Sequence, residues 1–246
     1  MTFGIFLNLQ KEISLAIGFI LGTIIQSMFL FLFLNEKFQK PDFKDENIKT
    51  FYKLLIPVLL AYGFNEINLF VSTIIASFFG EGAISYLNYA FRVFHFPFAI
   101  TGIAISTIAI VDFTSSKEPK KDLNKALKIN FLITIPITLI FILLSKFLIQ
   151  VLYQRGNFTA YDTEITSIVL IIYLLSLPFA SSSKILTSYA FATKDIKRAN
   201  ISFIIGTITD ILTAIIFSFF IGFYAVAFGN FTSSLLRHIY LTRCFR

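Results

Sequence analysis

Long apolar runs alternate with short polar segments along this chain of 246 residues, and that alternation predicts its architecture. A helix needs about 20 mostly apolar residues to cross the hydrocarbon core of a bilayer. Seven segments meet that length, at 13–34, 54–78, 84–111, 128–152, 164–192, 201–221 and 223–242. The expected fold class is therefore all-α, a polytopic membrane helix bundle of about seven transmembrane helices. Only a turn around Gly222 separates the last two segments, which should form a tight antiparallel hairpin. Met1–Leu9 is apolar but too short to span, and no basic stretch precedes it as in a signal peptide. It reads as the tail of an earlier helix, and the chain as a fragment.

Composition sharpens this reading. Hydrophobic residues make up 56% of the chain and charged residues 14%, where an ordinary soluble domain carries about a quarter charged. A soluble enzyme, a disordered chain and a nucleic-acid-binding domain are excluded as first readings. The net charge of +7 does not restore nucleic acid as a partner, because most cations cluster in short connections. Segment 35–53 holds five lysines, segment 113–128 holds five more, and 193–200 holds Lys194, Lys197 and Arg198. The alternate connections carry only Arg155. The positive-inside rule places the lysine-rich set in the cytoplasm, with the N-terminus outside and the C-terminus inside. Two of the lysine-rich segments read either as helices lying on the membrane surface, with Asp42 and Asp122 as candidate caps, or equally as simple solvated linkers. The single Cys244 excludes an internal disulfide and any multi-cysteine metal site.

Several ionisable groups fall inside apolar runs: Glu66, Arg92, Lys184, Asp210 and Arg237. Each costs about 2.5–3.5 kcal/mol at a helix centre, so they should face a wet cavity or pair with one another. Helical spacing groups them with other polar residues. Asn65, Asn68 and Ser72 form one stripe beside Glu66. Ser85, then Asn88 or Tyr89, then Arg92 form a second, and Asn230, Ser234 and Arg237 a third. Three polar stripes predict a shared hydrophilic cavity, although Asn and Ser also serve as hydrogen-bonding glue between membrane helices. Lys184 and Arg237 could instead snorkel to the cytoplasmic interface. Pro57, Pro97, Pro136 and Pro178 lie inside spans and predict bent helices. Gly18 and Gly22 form a G-x-x-x-G of the kind that packs helices closely. No P-loop and no H-E-x-x-H is present, and no nucleophile–base pair is visible, so the chain reads as no enzyme.

The stretch Asn65–Val111, NEINLFVSTIIASFFGEGAISYLNYAFRVFHFPFAITGIAISTIAIV, resembles the seventh and eighth helices of the lipid II flippase family (MviN/MurJ). That family belongs to the multidrug/oligosaccharidyl-lipid/polysaccharide exporter superfamily. LYQRGNFTAYDT at 152–163 resembles its R-G-x-F-T-x-x-D, and KILTSYAFATKDIK at 184–197 its K-V-L-x-x-x-F-Y-A-x-x-D-T-K. GFILGTIIQ at 18–26 resembles the sixth helix. The resemblance implies helices six to twelve of a fourteen-helix transporter, of which the first five are missing. It implies flipping of an undecaprenyl-linked peptidoglycan precursor to the outer leaflet by alternating access of two lobes around a cationic cavity. Arg92 falls on the family's cavity arginine. Phe91 stands where an Asp precedes that arginine, and Val111 where the family has Pro. The positions of a C-lobe sodium site in some members match Ser72, Asp210, Ala214 and Asn230, of which Ser72 and Ala214 lack carboxylates.

Residues 1–53 then form the last helix of an N-lobe with a cytoplasmic linker, and 54–246 a six-helix C-lobe. Arg92, Glu66, Asn68 and Ser85 are the candidate substrate-binding residues. Asp210, Ser72 and Asn230 are the candidate cation or proton site. No cofactor is implied beyond Na+ or a proton as coupling ion. The implied partners are the lipid-linked precursor, membrane lipids and a missing N-terminal lobe, and the implied location is the bacterial inner membrane. Another exporter of the superfamily, for polysaccharide-linked lipids or cationic drugs, is the alternative, and a non-functional fragment or membrane scaffold is a third reading.

Overall fold

The computed structural model describes residues 11–33, 46–80 and 82–245. Met1–Leu9 and Asp42 lie outside them. The described residues are helical throughout apart from short turns. The chain divides into two units, Met1–Lys49 and Thr50–Arg246.

In the first unit, helix α1 spans Lys11–Phe33. A Cβ added at Gly18 or Gly22 would meet nothing within 4 Å.

Helix α2 spans Glu46–Ser77 and carries most of its length into the second unit. The third predicted span is two helices, α3 (Ala83–Phe98) and α4 (Ile105–Ser115), joined by a π-helical turn over Ala99–Ala104. Then follow α5 (Pro119–Tyr153), α6 (Ala160–Ala192), α7 (Ile196–Ile221) and α8 (Tyr224–Phe245). Among the described residues four stretches are long and apolar enough to cross a membrane: Ala83–Ser115, Pro119–Tyr153, Ala160–Ala192 and Ile196–Ile221. They coincide with the third to sixth predicted spans.

The turns follow from local chemistry. Gly82, at φ 99°, precedes α3 in the left-handed region that a side chain disfavours. Gly222, at φ 62°, makes the short reversal between α7 and α8, so the predicted hairpin is present. Pro119 sits in the first turn of α5, where its missing N–H costs nothing. Asp122 is thus within that first turn rather than capping it. The lysine-rich segment from 119 onward continues the span as one helix instead of lying as a separate surface helix. Of the three span prolines whose surroundings are described, only Pro97 is followed by a widened turn. α5 and α6 run through Pro136 and Pro178 without interruption.

The division of the connections by charge is matched by which turns meet in the second unit. At one end Tyr86 donates a 2.5 Å hydrogen bond to Asp162, and the Tyr86 and Phe223 rings lie 6.1 Å apart. Those residues flank the cation-poor turns. At the other end Tyr189 packs against Phe113 and Phe245, and Arg198 donates to the carbonyl of Cys244 at 3.2 Å. That end carries the lysine-rich connections.

Helix α6 is the hub of the second unit, packed against α3, α4, α5 and α8. Two apolar clusters surround it. One gathers Ile75, Phe94, Leu170, Leu174 and Val226, and the other Phe113, Leu123, Leu186 and Leu241. Between them runs a buried polar band. Thr101 and Ser181 share a 2.9 Å hydrogen bond, Ser182 meets His238 Nδ1 at 2.8 Å, and Ser183 donates to the carbonyl of Ser234. Small hydroxyls let membrane helices approach closely and bond across the contact. The outward faces are the reverse of a soluble protein's, with Leu143 83% and Phe219 85% exposed. Such surfaces suit hydrocarbon rather than water.

Candidate functional site

The polar stripes converge on a cavity of about 200 Å³. Helix α2 contributes Asn68 and Ser72, α3 contributes Asn88 and Phe91, α6 Tyr173, α7 Asp210 and α8 Asn230. Asp210 is buried at 4% exposure. Asn68 Nδ2 donates to its Oδ2 at 2.7 Å, which fixes the orientation of the amide. Asp210 Oδ1 and Asn68 Oδ1 are both buried without a partner among the described residues. Asn230 Oδ1 accepts from Ser176 Oγ at 3.0 Å. Gly229 makes the close approach of α7 and α8 possible, because a Cβ there would stand 2.8 Å from the Asp210 carbonyl and run into its carboxylate.

A second cavity, of about 440 Å³, shares Phe91 and Asn230 with the first. It is lined further by His95, Lys184, Ser234 and Arg237. The stripe on α8 therefore faces both chambers. Arg237 does not snorkel, since its guanidinium lies over the Phe203 ring, 4.5 Å from the centroid.

Four of the seven candidate residues, Asn68, Ser72, Asp210 and Asn230, line the first cavity together. Ser85 does not. It lines a recess at the cation-poor end with Tyr86, Tyr89, Arg155 and Asp162. Arg92 and Glu66 are exposed and line neither cavity. The geometry also decides between Asn88 and Tyr89. Asn88 faces the cavity, while the Tyr89 ring lies 4.6 Å from that of Tyr153 and 5.6 Å from that of Phe158. The side chain of Asn65 is outside the description. Tyr173 was not among the candidates; a lone tyrosine within an aliphatic stretch was the available signal, because a buried phenol wants a polar neighbour.

The R-G-x-F-T-x-x-D segment performs a structural task. Asp162 accepts from the Thr159 backbone N–H at 2.6 Å and from the Thr159 hydroxyl at 2.7 Å, and the Thr159 hydroxyl accepts from the Asp162 N–H. This capping box starts α6, and Tyr86 ties it to α3.

The family model described as "Lipid II flippase MurJ" matches residues 1–246. The chain belongs to the MurJ lipid II flippase family. A probable lipid II flippase of Aquifex aeolicus is 33% identical over 218 residues, covering 87% of this chain and 44% of that protein. One of Vibrio cholerae is 30% identical over 244 residues, covering 95% and 46%. The solved structure of lipid II flippase MurJ in an inward closed conformation is similar with a TM-score of 0.81 and 30% identity, over 94% of this chain and 50% of that one. A multidrug resistance MATE family transporter of the MOP superfamily, in an outward-facing conformation, shares the fold alone, at a TM-score of 0.65 and 15% identity. The chain spans about half the length of the flippases it matches, in a family of transporters rather than enzymes. Family and apolar helices together make it a multi-pass protein of the bacterial inner membrane.

The family-implied cation positions can be tested on these residues. Ser72, Asp210 and Asn230 line the first cavity, whereas Ala214 is buried in the apolar cluster and offers no donor. The remaining set has one carboxylate and the orphaned oxygens of Asp210 and Asn68. Oxygen donors with a single negative charge suit a proton or a monovalent hard cation. Among the described residues no cluster of three acidic, His or Cys groups exists for a more highly charged metal.

Proposed function

We propose that this chain is the C-terminal lobe of a lipid II flippase, which moves an undecaprenyl-linked peptidoglycan precursor from the inner to the outer leaflet. The observation that carries the reading is the family match over every residue, joined to the TM-score of 0.81 against the inward closed flippase. Residues 1–53 supply the last helix and linker of the opposite lobe, and the working transporter needs the rest of that lobe, since alternating access requires two halves moving against each other. The lysine-rich end faces the cytoplasm and so does the C-terminus.

Arg92 is the residue that meets the precursor's pyrophosphate. It is exposed on α3 and has no ion pair among the described residues. A guanidinium stays charged and pairs with phosphate oxygens two at a time. Glu66, Asn68 and Ser85 are the polar residues around its path. Asp210, with Asn68, Ser72 and Asn230, takes up the coupling cation or proton.

The test is growth of a flippase-depleted bacterium supplied with this chain and the N-terminal portion of a relative. Growth should return with both lobes and fail with either alone. It should be lost or strongly slowed by Arg92→Ala. Wild-type growth of that variant would remove Arg92 from the mechanism, and growth without the second lobe would overturn the division of labour.

A further inference from the structure

The second cavity holds a charge arrangement that the flippase reading does not use. Among the described residues that line it, Arg237, Lys184 and His95 can carry positive charge and none is Asp or Glu. Arg237 is built into place. A Cβ at Gly206 would stand 2.5 Å from Arg237 Cδ and 3.0 Å from its Cγ, so only glycine leaves α7 a notch for the arginine stem. Phe203 supports the guanidinium from one side. Its Nε is buried without an acceptor among the described residues. Among the described residues the ion pairs are Lys121–Glu118 and Arg198–Asp195, and neither reaches this chamber. Asp210 lines the neighbouring cavity, where it accepts from Asn68.

A cation in a largely apolar chamber calls for a counter-charge, because burying an unpaired ion is costly. We propose that this cavity binds a phosphate-class anion, with Arg237 and Lys184 as its ligands and Ser234 as a neutral donor. Donors from two helices, an arginine fork and a hydroxyl on α8 and an ammonium on α6, suit a tetrahedral oxyanion better than a planar carboxylate. The phosphate group comes either from an anionic lipid headgroup or from free phosphate. The site is independent of Arg92 and of transport.

The chain contains no tryptophan, so Phe191→Trp places a single emitter on the cavity wall. The full chain is purified in detergent and titrated with inorganic phosphate and pyrophosphate. It is also placed in phosphatidylcholine vesicles with and without phosphatidylglycerol. A saturable emission change with the inorganic anions assigns free phosphate, and one confined to phosphatidylglycerol vesicles assigns a lipid headgroup. Arg237→Gln and Lys184→Gln should each weaken binding by about tenfold or more, while Lys146→Gln, on the exposed face of α5, leaves it unchanged. Melting without anion checks each fold; Lys184 is exposed, so its variant decides the matter alone if Arg237→Gln does not fold. No response to any probe, unchanged affinity in Lys184→Gln, or equal binding of acetate would overturn the proposal.

Discussion

Asn68 and Asp210, 142 positions apart in sequence, are joined by a 2.7 Å hydrogen bond from amide to carboxylate. This bond fastens α2 to α7 at the wall of the first cavity. It leaves one carboxylate oxygen without a partner among the described residues. Removing the amide strands a buried acid, a loss of about 2–3 kcal/mol. Asn68→Ala should therefore lower the unfolding free energy by that amount. Asp210→Asn in the same chain should recover part of it, because the two effects share one contact. Equal and additive losses in reversible unfolding would show that the bond does not couple the helices.

Gly229→Ala should be more disruptive than its size suggests. The added methyl meets the Asp210 carbonyl at 2.8 Å and the carboxylate beyond it. Overpacking of this kind costs about 1–3 kcal/mol. Gly18→Ala, with open space around the new carbon in a helix interior, is the matched control and should not destabilise. Thermal unfolding of the two variants side by side checks both expectations.

The Tyr86–Asp162 clasp predicts a purely structural phenotype. Tyr86→Phe removes one hydrogen bond and should cost about 1 kcal/mol. Asp162→Ala removes the capping box as well and should cost about 1 kcal/mol more. Neither should alter growth support beyond what lower stability explains. A transport defect in a fully stable Asp162→Ala chain would give this residue a role the geometry does not.

The elements were legible in the sequence because spanning a bilayer fixes the length of an apolar run. The lysine-rich connections likewise marked one end of the bundle, and the structure gathers their neighbours there. The site was only half legible. Helical period identifies a stripe, but not which stripe of one helix faces which stripe of the next. On α3 the face turned to Asp210 carries Asn88 and Phe91. Arg92 is one residue on and so about 100° around the axis, which takes it out of the cavity. The polar band of Thr101, Ser181, Ser182 and His238 was invisible for a related reason. Isolated hydroxyls in apolar runs acquire meaning only when two helices are brought into register.

The flippase account places Arg92 where the precursor's pyrophosphate must pass, and leaflet accessibility of reconstituted lipid II tests that most directly. Vesicles would hold this chain together with the N-terminal portion of a relative, and the rate at which labelled lipid II changes leaflet would be read against Arg92→Ala. The account predicts movement with the wild-type pair and a fall of about tenfold or more in the variant, the loss of one charge-assisted phosphate contact. Equal rates for the two, or no movement with the intact pair, would contradict it.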